Sequence, residues 1–293
     1  MTWTILGKVP HEGDFVRLGG RTPLDVECFE WIAAAVASHP AWVRAIHAGG
    51  TRFVFAGARG DRALIGVMIR SCDRVGREFP LAAVHPIARP AERSSVALPV
   101  AWTGPLLSAR RALDQAASRT LEEIVSLVDA VPVPTESEVQ AALVRCTHAL
   151  EHTAIHELHE RLFEDADAAH YAYHAMRAAA RAEGPRAPAV LAPLGVAGDL
   201  VAWLELARRL APAHGRPTAC VWNLGRAAIA HGELPPAVLP AMHGHDLGSS
   251  SVWPLSTDSP TARERARAEI APLMPPSGAS VLTMIDALGR RTA

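Results

Sequence analysis

The sequence predicts an α/β (α+β) fold. An N-terminal antiparallel sheet flanked by helices is expected over residues 1–131, followed by a mainly helical part with a small α/β unit over residues 135–293. Three observations carry this expectation. Three β-type runs, 51–56, 63–69 and 79–84, follow one another in the first third of the chain. Segments of helical periodicity lie on both sides of them. The 293 residues are 49% hydrophobic but only 5% aromatic, and they are rich in Ala, which favours helix because Ala loses no side-chain entropy there.

Taken in order, residues 3–6 read as a short apolar strand, running into a loop that carries Gly7, Pro10 and Gly13. Thr22 and Pro23 then open a helix as N-cap and first residue, and Pro40 stops it. A second short helix is expected over 41–48, ended by Gly49 and Gly50. The run TRFVFA alternates Phe53 and Phe55, and the glycines between residues 57 and 61 suit a hairpin to ALIGVMI. Pro86, Pro90 and Pro99 predict an irregular stretch, and residues 105–131 a helix. The segment VPVPTESE is an elbow whose Thr135 and Glu138 form a capping box.

The second half predicts one long helix over 138–163 and another over 166–182. A strand at 190–194, a helix at 197–210 and a strand at 218–223 make the small α/β unit. HGHDLGSSSVWPLSTDSP reads as a polar loop, and the chain closes in GRRTA, expected to fray.

Several function classes drop out early. A net charge of −1 gives no basic footprint for nucleic acid. No run of 18 apolar residues suggests a membrane span, and the first residues lack a signal-peptide pattern, so a cytoplasmic protein is expected. Cys28, Cys72, Cys146 and Cys220 are scattered without a CxxC pair and read as buried thiols. There is no GxSxG and no P-loop.

Two constellations remain. His148, His152, His156 and His159 recur at steps of four, four and three, which on one continuous helix puts them on one face. Such a face suits zinc, but Thr153 stands where a zincin pattern needs Glu. The other is GVMIRSCDRVGREFPL at 66–81, which places Arg70, Asp73, Arg74 and Arg77 between two apolar runs. Asp73 there is either an acid/base flanked by arginine anion clamps or the acceptor of an Asx-type turn with Gly76 supplying an unusual backbone conformation. Spacing favours the turn. A metal- or acid/base-dependent hydrolase using Asp73 or the His-rich helix is the enzymatic alternative.

The pair GKVPHEGDFVR and GVMIRSCDRVGREFPL resembles the signature of the TagF family of type VI secretion-associated proteins. The matching residues are Gly7, Lys8, Pro10, Gly13, Asp14 and Phe15, then Ser71, Asp73, Val75, Gly76, Arg77, Phe79, Pro80 and Leu81. TACVWNLG and ELPPAVLPAM are similar to a pattern in the family's C-terminal part, although that strand usually carries more Trp than Trp222 alone. The resemblance implies a non-enzymatic, cofactor-free accessory protein. It implies post-translational repression of secretion through a forkhead-associated (Fha) scaffold and the threonine-phosphorylation pathway that activates it. Together with Arg74, the motif residues are then either a partner-binding patch or an internal clasp, with Asp14 or Asp73 expected within hydrogen-bond reach of Arg74 or Arg77. The family fold it implies is an α/β sandwich around an antiparallel sheet.

Overall fold

Thr4–Lys8 (β1) and Phe15–Leu18 (β2) pair antiparallel, so the segment expected as a loop holds a strand of its own. The computed structural model describes residues 3–20, 22–57, 62–88, 94–182, 187–210, 218–245, 248 and 250–290. The expected hairpin glycines, Pro90, the break after residue 182 and the last three residues lie wholly or partly outside these. Helix Pro23–Ser38 (α1) starts as the sequence suggests. The Thr22 side chain accepts from Asp25 N, and the Asp25 carboxylate accepts from Thr22 N. A 3₁₀ turn, Pro40–Ala45, replaces the expected second helix.

Thr51–Ala56 (β3), Arg62–Ile69 (β4) and Leu81–Ala88 (β5) follow as an antiparallel meander. Pro86, expected in irregular chain, sits inside β5. Among the described residues the pairing of β5 with β1 ends at Val84, so Pro86 is paired with β4 alone, at the partly open end of β5 where a missing N–H is tolerated. Pro99 likewise lies inside a helix, Ser94–Ala101 (α2), which buries Val96, Ala97 and Leu98. The helix expected over 105–131 is two, Thr103–Leu113 (α3) and Leu121–Asp129 (α4), the second opened by a Thr120–Glu123 capping box.

Glu136–His152 (α5) begins with the expected Thr135–Glu138 box, but it ends at Thr153, and Ile155–Leu162 (α6) is a separate helix. The break is tertiary in origin. Val281 N donates to Thr153 O and Ile155 N donates to Ala279 O, so a distant segment takes backbone groups a continuous helix would use. Ala166–Arg181 (α7), Ala189–Pro193 (β6), Asp199–Leu210 (α8) and Thr218–Trp222 (β7) match the expected order. Arg226–His231 (β8), Val238–Met242 (α9), Val252–Pro254 (β9), Pro260–Ile270 (α10) and Val281–Gly289 (α11) complete the chain.

Among the described residues nine strands make one mixed sheet in the order β2-β1-β5-β4-β3-β7-β8-β6-β9. Every neighbouring pair is antiparallel except β6–β9. The expected α/β unit is therefore interrupted, because β8 lies between β6 and β7 and pairs with both. The β3–β7 ladder, with Phe53 opposite Val221, carries the sheet from the first half of the sequence into the second. Alternation along the strands feeds two cores. Leu6, Phe53, Phe55, Leu64 and Met68 pack with Trp31, Ile32 and Trp42 on one face. Ile5, Val54, Ile65 and Val67 pack on the other with Leu106, Ile124, Tyr173 and Trp203.

Candidate functional site: two loops joined by a buried ion pair

The two sequence motifs meet at one end of the sheet, where β1 runs out and the chain turns between β4 and β5. Gly7 is the first point of contact. It pairs with Leu81, its φ is +124°, and a Cβ there would lie 1.9 Å from the Pro80 carbonyl oxygen. Only glycine fits both the conformation and the approach.

Lys8 comes next, with its side chain 7% exposed, and its Nζ donates to Asp73 Oδ2 at 2.9 Å. The Asp73 carboxylate is fully enclosed and takes up four donors. Oδ2 accepts from Lys8 Nζ and from Arg77 Nε at 2.6 Å, and Oδ1 accepts from the backbone N–H of Val75 at 3.1 Å and of Arg77 at 2.8 Å. Burial alone raises its pKa. The bonds from Lys8 and Arg77, with the lysine charge, outweigh that and hold the carboxyl well below the usual carboxylate range. Gly76, at φ +84°, closes the turn by donating to Asp73 O at 2.9 Å.

The first loop is tied to this turn at three more points. Arg77 donates through its terminal nitrogen to Gly13 O at 2.8 Å, Arg74 N donates to Glu12 O at 2.9 Å, and Ser71 Oγ donates to Lys8 O at 2.7 Å. Half-buried Pro10 lies in the intervening turn, where Glu12 N donates to Val9 O. Phe15 and Phe79 meet edge to face at 4.9 Å, and Phe29 of α1 stacks on Phe79 at 5.5 Å. Lys8 Nζ lies 4.9 Å over the Phe15 ring, and the Arg17 guanidinium lies 3.8 Å over Phe29.

Of the two acids expected to meet Arg74 or Arg77, Asp73 reaches Arg77, and among the described residues Asp14 reaches neither. Asp14 Oδ1 accepts from Phe15 N at 2.8 Å. Lys8, at the buried end of β1, joins Arg77 on the Asp73 carboxylate. The sequence contained the signal, since a Lys closing an apolar strand needs a carboxylate, but Asp14 stood nearer in the motif. Glu78, given no role from sequence, bridges Arg44 at 2.6 Å and Arg70 at 3.3 Å. Arg74 is exposed and makes no ion pair among the described residues, and Val75 is 68% exposed at the tip.

The histidine face expected from sequence does not exist, because the helix breaks at Thr153. His148 and His152 stack on each other at 3.9 Å. His156 Nδ1 lies 3.2 Å from Ser277 O, and His159 Nε2 lies 3.0 Å from the Tyr173 hydroxyl. Burial, with a contribution from His170, lowers the His159 pKa to about 4.

Residues 4–131 match the family model described as TagF N-terminal domain, Type VI secretion system-associated. Residues 4–131 are a TagF N-terminal domain. Both motif loops and all five strands of the meander and first hairpin lie inside this TagF segment. The family that this segment matches is described as type VI secretion system-associated. The chain is also similar to a solved Pseudomonas aeruginosa PAO1 protein, PA0076, at 19% identity and a TM-score of 0.48, over 88% of this chain and 100% of that one. No curated protein matches the chain. No helix among the described residues is long and apolar enough to cross a membrane.

Proposed function

We propose that the protein is a cytoplasmic, non-enzymatic regulator that restrains type VI secretion after translation by binding a forkhead-associated scaffold. The observation that carries this reading is the TagF N-terminal domain, which encloses both motif loops. The geometry of Asp73 supports binding over catalysis. A general base needs an accessible lone pair within reach of a substrate proton. Asp73 is enclosed, already accepts from four donors, and is held ionised by them. The Arg74 and Val75 side chains, exposed at the tip while their backbones take part in the clasp, are placed to meet a partner.

The test is a capture experiment in the host, with the tagged chain as bait and secretion measured on overproduction. Recovery of the forkhead-associated scaffold with reduced secretion supports the reading. An Arg74→Ala chain that melts normally but captures less places the partner on the loop tip. Failure of the unmodified chain both to capture the scaffold and to reduce secretion refutes it.

A further inference from the structure

The sheet ends at β2, and nothing among the described residues pairs with its outer side. The opposite edge is differently made. There β9 is three residues long and ends in Pro254, which has no N–H to offer a further strand. The β2 edge has no proline. Its Phe15 and Arg17 side chains are engaged on the α1 side, by Phe79 and Phe29. Val16 and Leu18 face the opposite core, toward α4.

Between β2 and α4 lies a groove of about 810 Å³. Leu18, Leu121 and Val125 form its apolar part, all three only partly buried against the core. Glu12 and Glu122 stand in its lining, and among the described residues neither carboxylate has an ion-pair partner. Arg119, just before this helix, is engaged by Glu123 instead. An open strand edge thus borders a channel that is apolar at its floor and negative at its rim.

We infer that this edge takes an extended, basic and apolar peptide segment as an added strand of the sheet. Backbone hydrogen bonds to β2 would supply sequence-tolerant affinity, as in other strand-addition complexes. Side chains alternate along such a strand. Those on the α4 side meet Leu18, Leu121 and Val125, while lysine or arginine side chains reach the two free glutamates. The charge selects the occupant, because an acidic segment would bring like charges together in a partly desolvated groove. A second copy of this chain is disfavoured on the same ground, since a β2-to-β2 pairing brings two such acidic rims together. The inference concerns a surface that meets the Arg74–Val75 tip only at Glu12, whose carbonyl accepts from Arg74 N, and it stands whether or not a forkhead-associated scaffold is the partner.

The probe is a fluorescein-labelled, end-capped octapeptide of alternating valine and lysine, compared with its valine–glutamate counterpart on the full chain. The lysine peptide is expected to bind with an affinity that falls with salt, and the glutamate peptide at least about tenfold more weakly. Hydrogen exchange at the backbone of residues 15–18 slows on binding. The double variant Glu12→Lys, Glu122→Lys loses the lysine peptide and gains the glutamate one, with a melting curve taken alongside. If that variant does not fold, the peptide comparison and the exchange map on the unmodified chain decide alone. No binding of the lysine peptide up to millimolar concentration, equal binding of both peptides, protection that maps elsewhere, or sedimentation showing a dimer whose protected edge is β2 overturns the inference.

Discussion

Lys8 and Asp73 stand 65 positions apart in sequence and 2.9 Å apart in space, both nearly excluded from water. A buried ion pair is sensitive to the loss of one member, because the survivor stays buried without its partner. The pair therefore sets the geometry of both loops, and the first prediction concerns it. Lys8→Met should lower the melting temperature more than Arg77→Ala does. Arg77 is 62% exposed, and water can replace part of what its guanidinium supplies. Thermal unfolding of both variants beside the unmodified chain is the check. An equal or smaller loss for Lys8→Met would mean the buried pair does not organise the loops.

Gly7 and Gly76 both have positive φ, but only one is crowded. Gly7→Ala meets the Pro80 carbonyl oxygen, so it is expected to cost more than about 3 kcal/mol or to prevent folding, combining backbone strain with overpacking. Gly76→Ala meets nothing within 4 Å and carries the conformational cost alone, about 1–2 kcal/mol. Urea denaturation separates the two.

Acid should unfold the protein in two stages. His159 and His243 have pKa values lowered to about 4 by burial. An unfolded His titrates near ~6.5. The unfolded state therefore binds more protons between these values. This stability is complete above about pH 6.5 and is lost as the pH falls toward the folded values, at up to about 3 kcal/mol per histidine. Asp73 acts lower. Its contribution is present above about pH 3.9, the unfolded value, and is lost as the pH falls below it. Unfolding free energy measured against pH should slope in both windows, and His243→Gln should flatten only the upper one. A flat profile between pH 6.5 and 4.5 would contradict the burial of neutral imidazoles.

Thiol reactivity should follow exposure. Cys28 and Cys220 are fully buried. Burial raises the Cys28 thiol far above its ordinary value and pushes Cys220 up to about 12, while Cys146 is raised as well. Only Cys72, beside the clasp, is half-buried. Native-state labelling with a disulfide reagent should modify Cys72 first. A slower Cys72 than Cys146 would contradict the enclosure of α5.

The Thr22 cap gives a calibrated reference. Thr22→Ala removes the acceptor for Asp25 N and should cost about 1 kcal/mol of stability. Chemical denaturation provides the measurement. A neutral result would mean that Asp25 alone secures the start of α1.

The elements legible from sequence were those whose cause is local. The Thr22 and Thr135 caps, the Thr51–Ala56 strand and the Asp73 turn each depend on residues within a few positions. The elements missed depend on distant partners. FVRL becomes a strand because β1 lies beside it, and RAAIAH, poor in β-branched residues, becomes a buried strand because β6 and β7 flank it. The histidine helix breaks because residues 279–281 compete for its backbone. At the site, the sequence brought the correct two loops together and offered Asp73 to Arg77, as found, but it missed Lys8, since the depth of Lys8 is a property of the sheet and not of the motif.

The ladder between β3 and β7 has one more consequence. A chain ended at residue 131 would keep every residue of the TagF segment, yet it would leave Arg52, Phe53 and Val54 with bare backbone along an unpaired strand edge. Such an edge is adhesive toward any other strand. The later half of the chain thus acts as a sheath for the earlier half, and the family segment excised by itself is expected to self-associate where the intact chain stays dispersed.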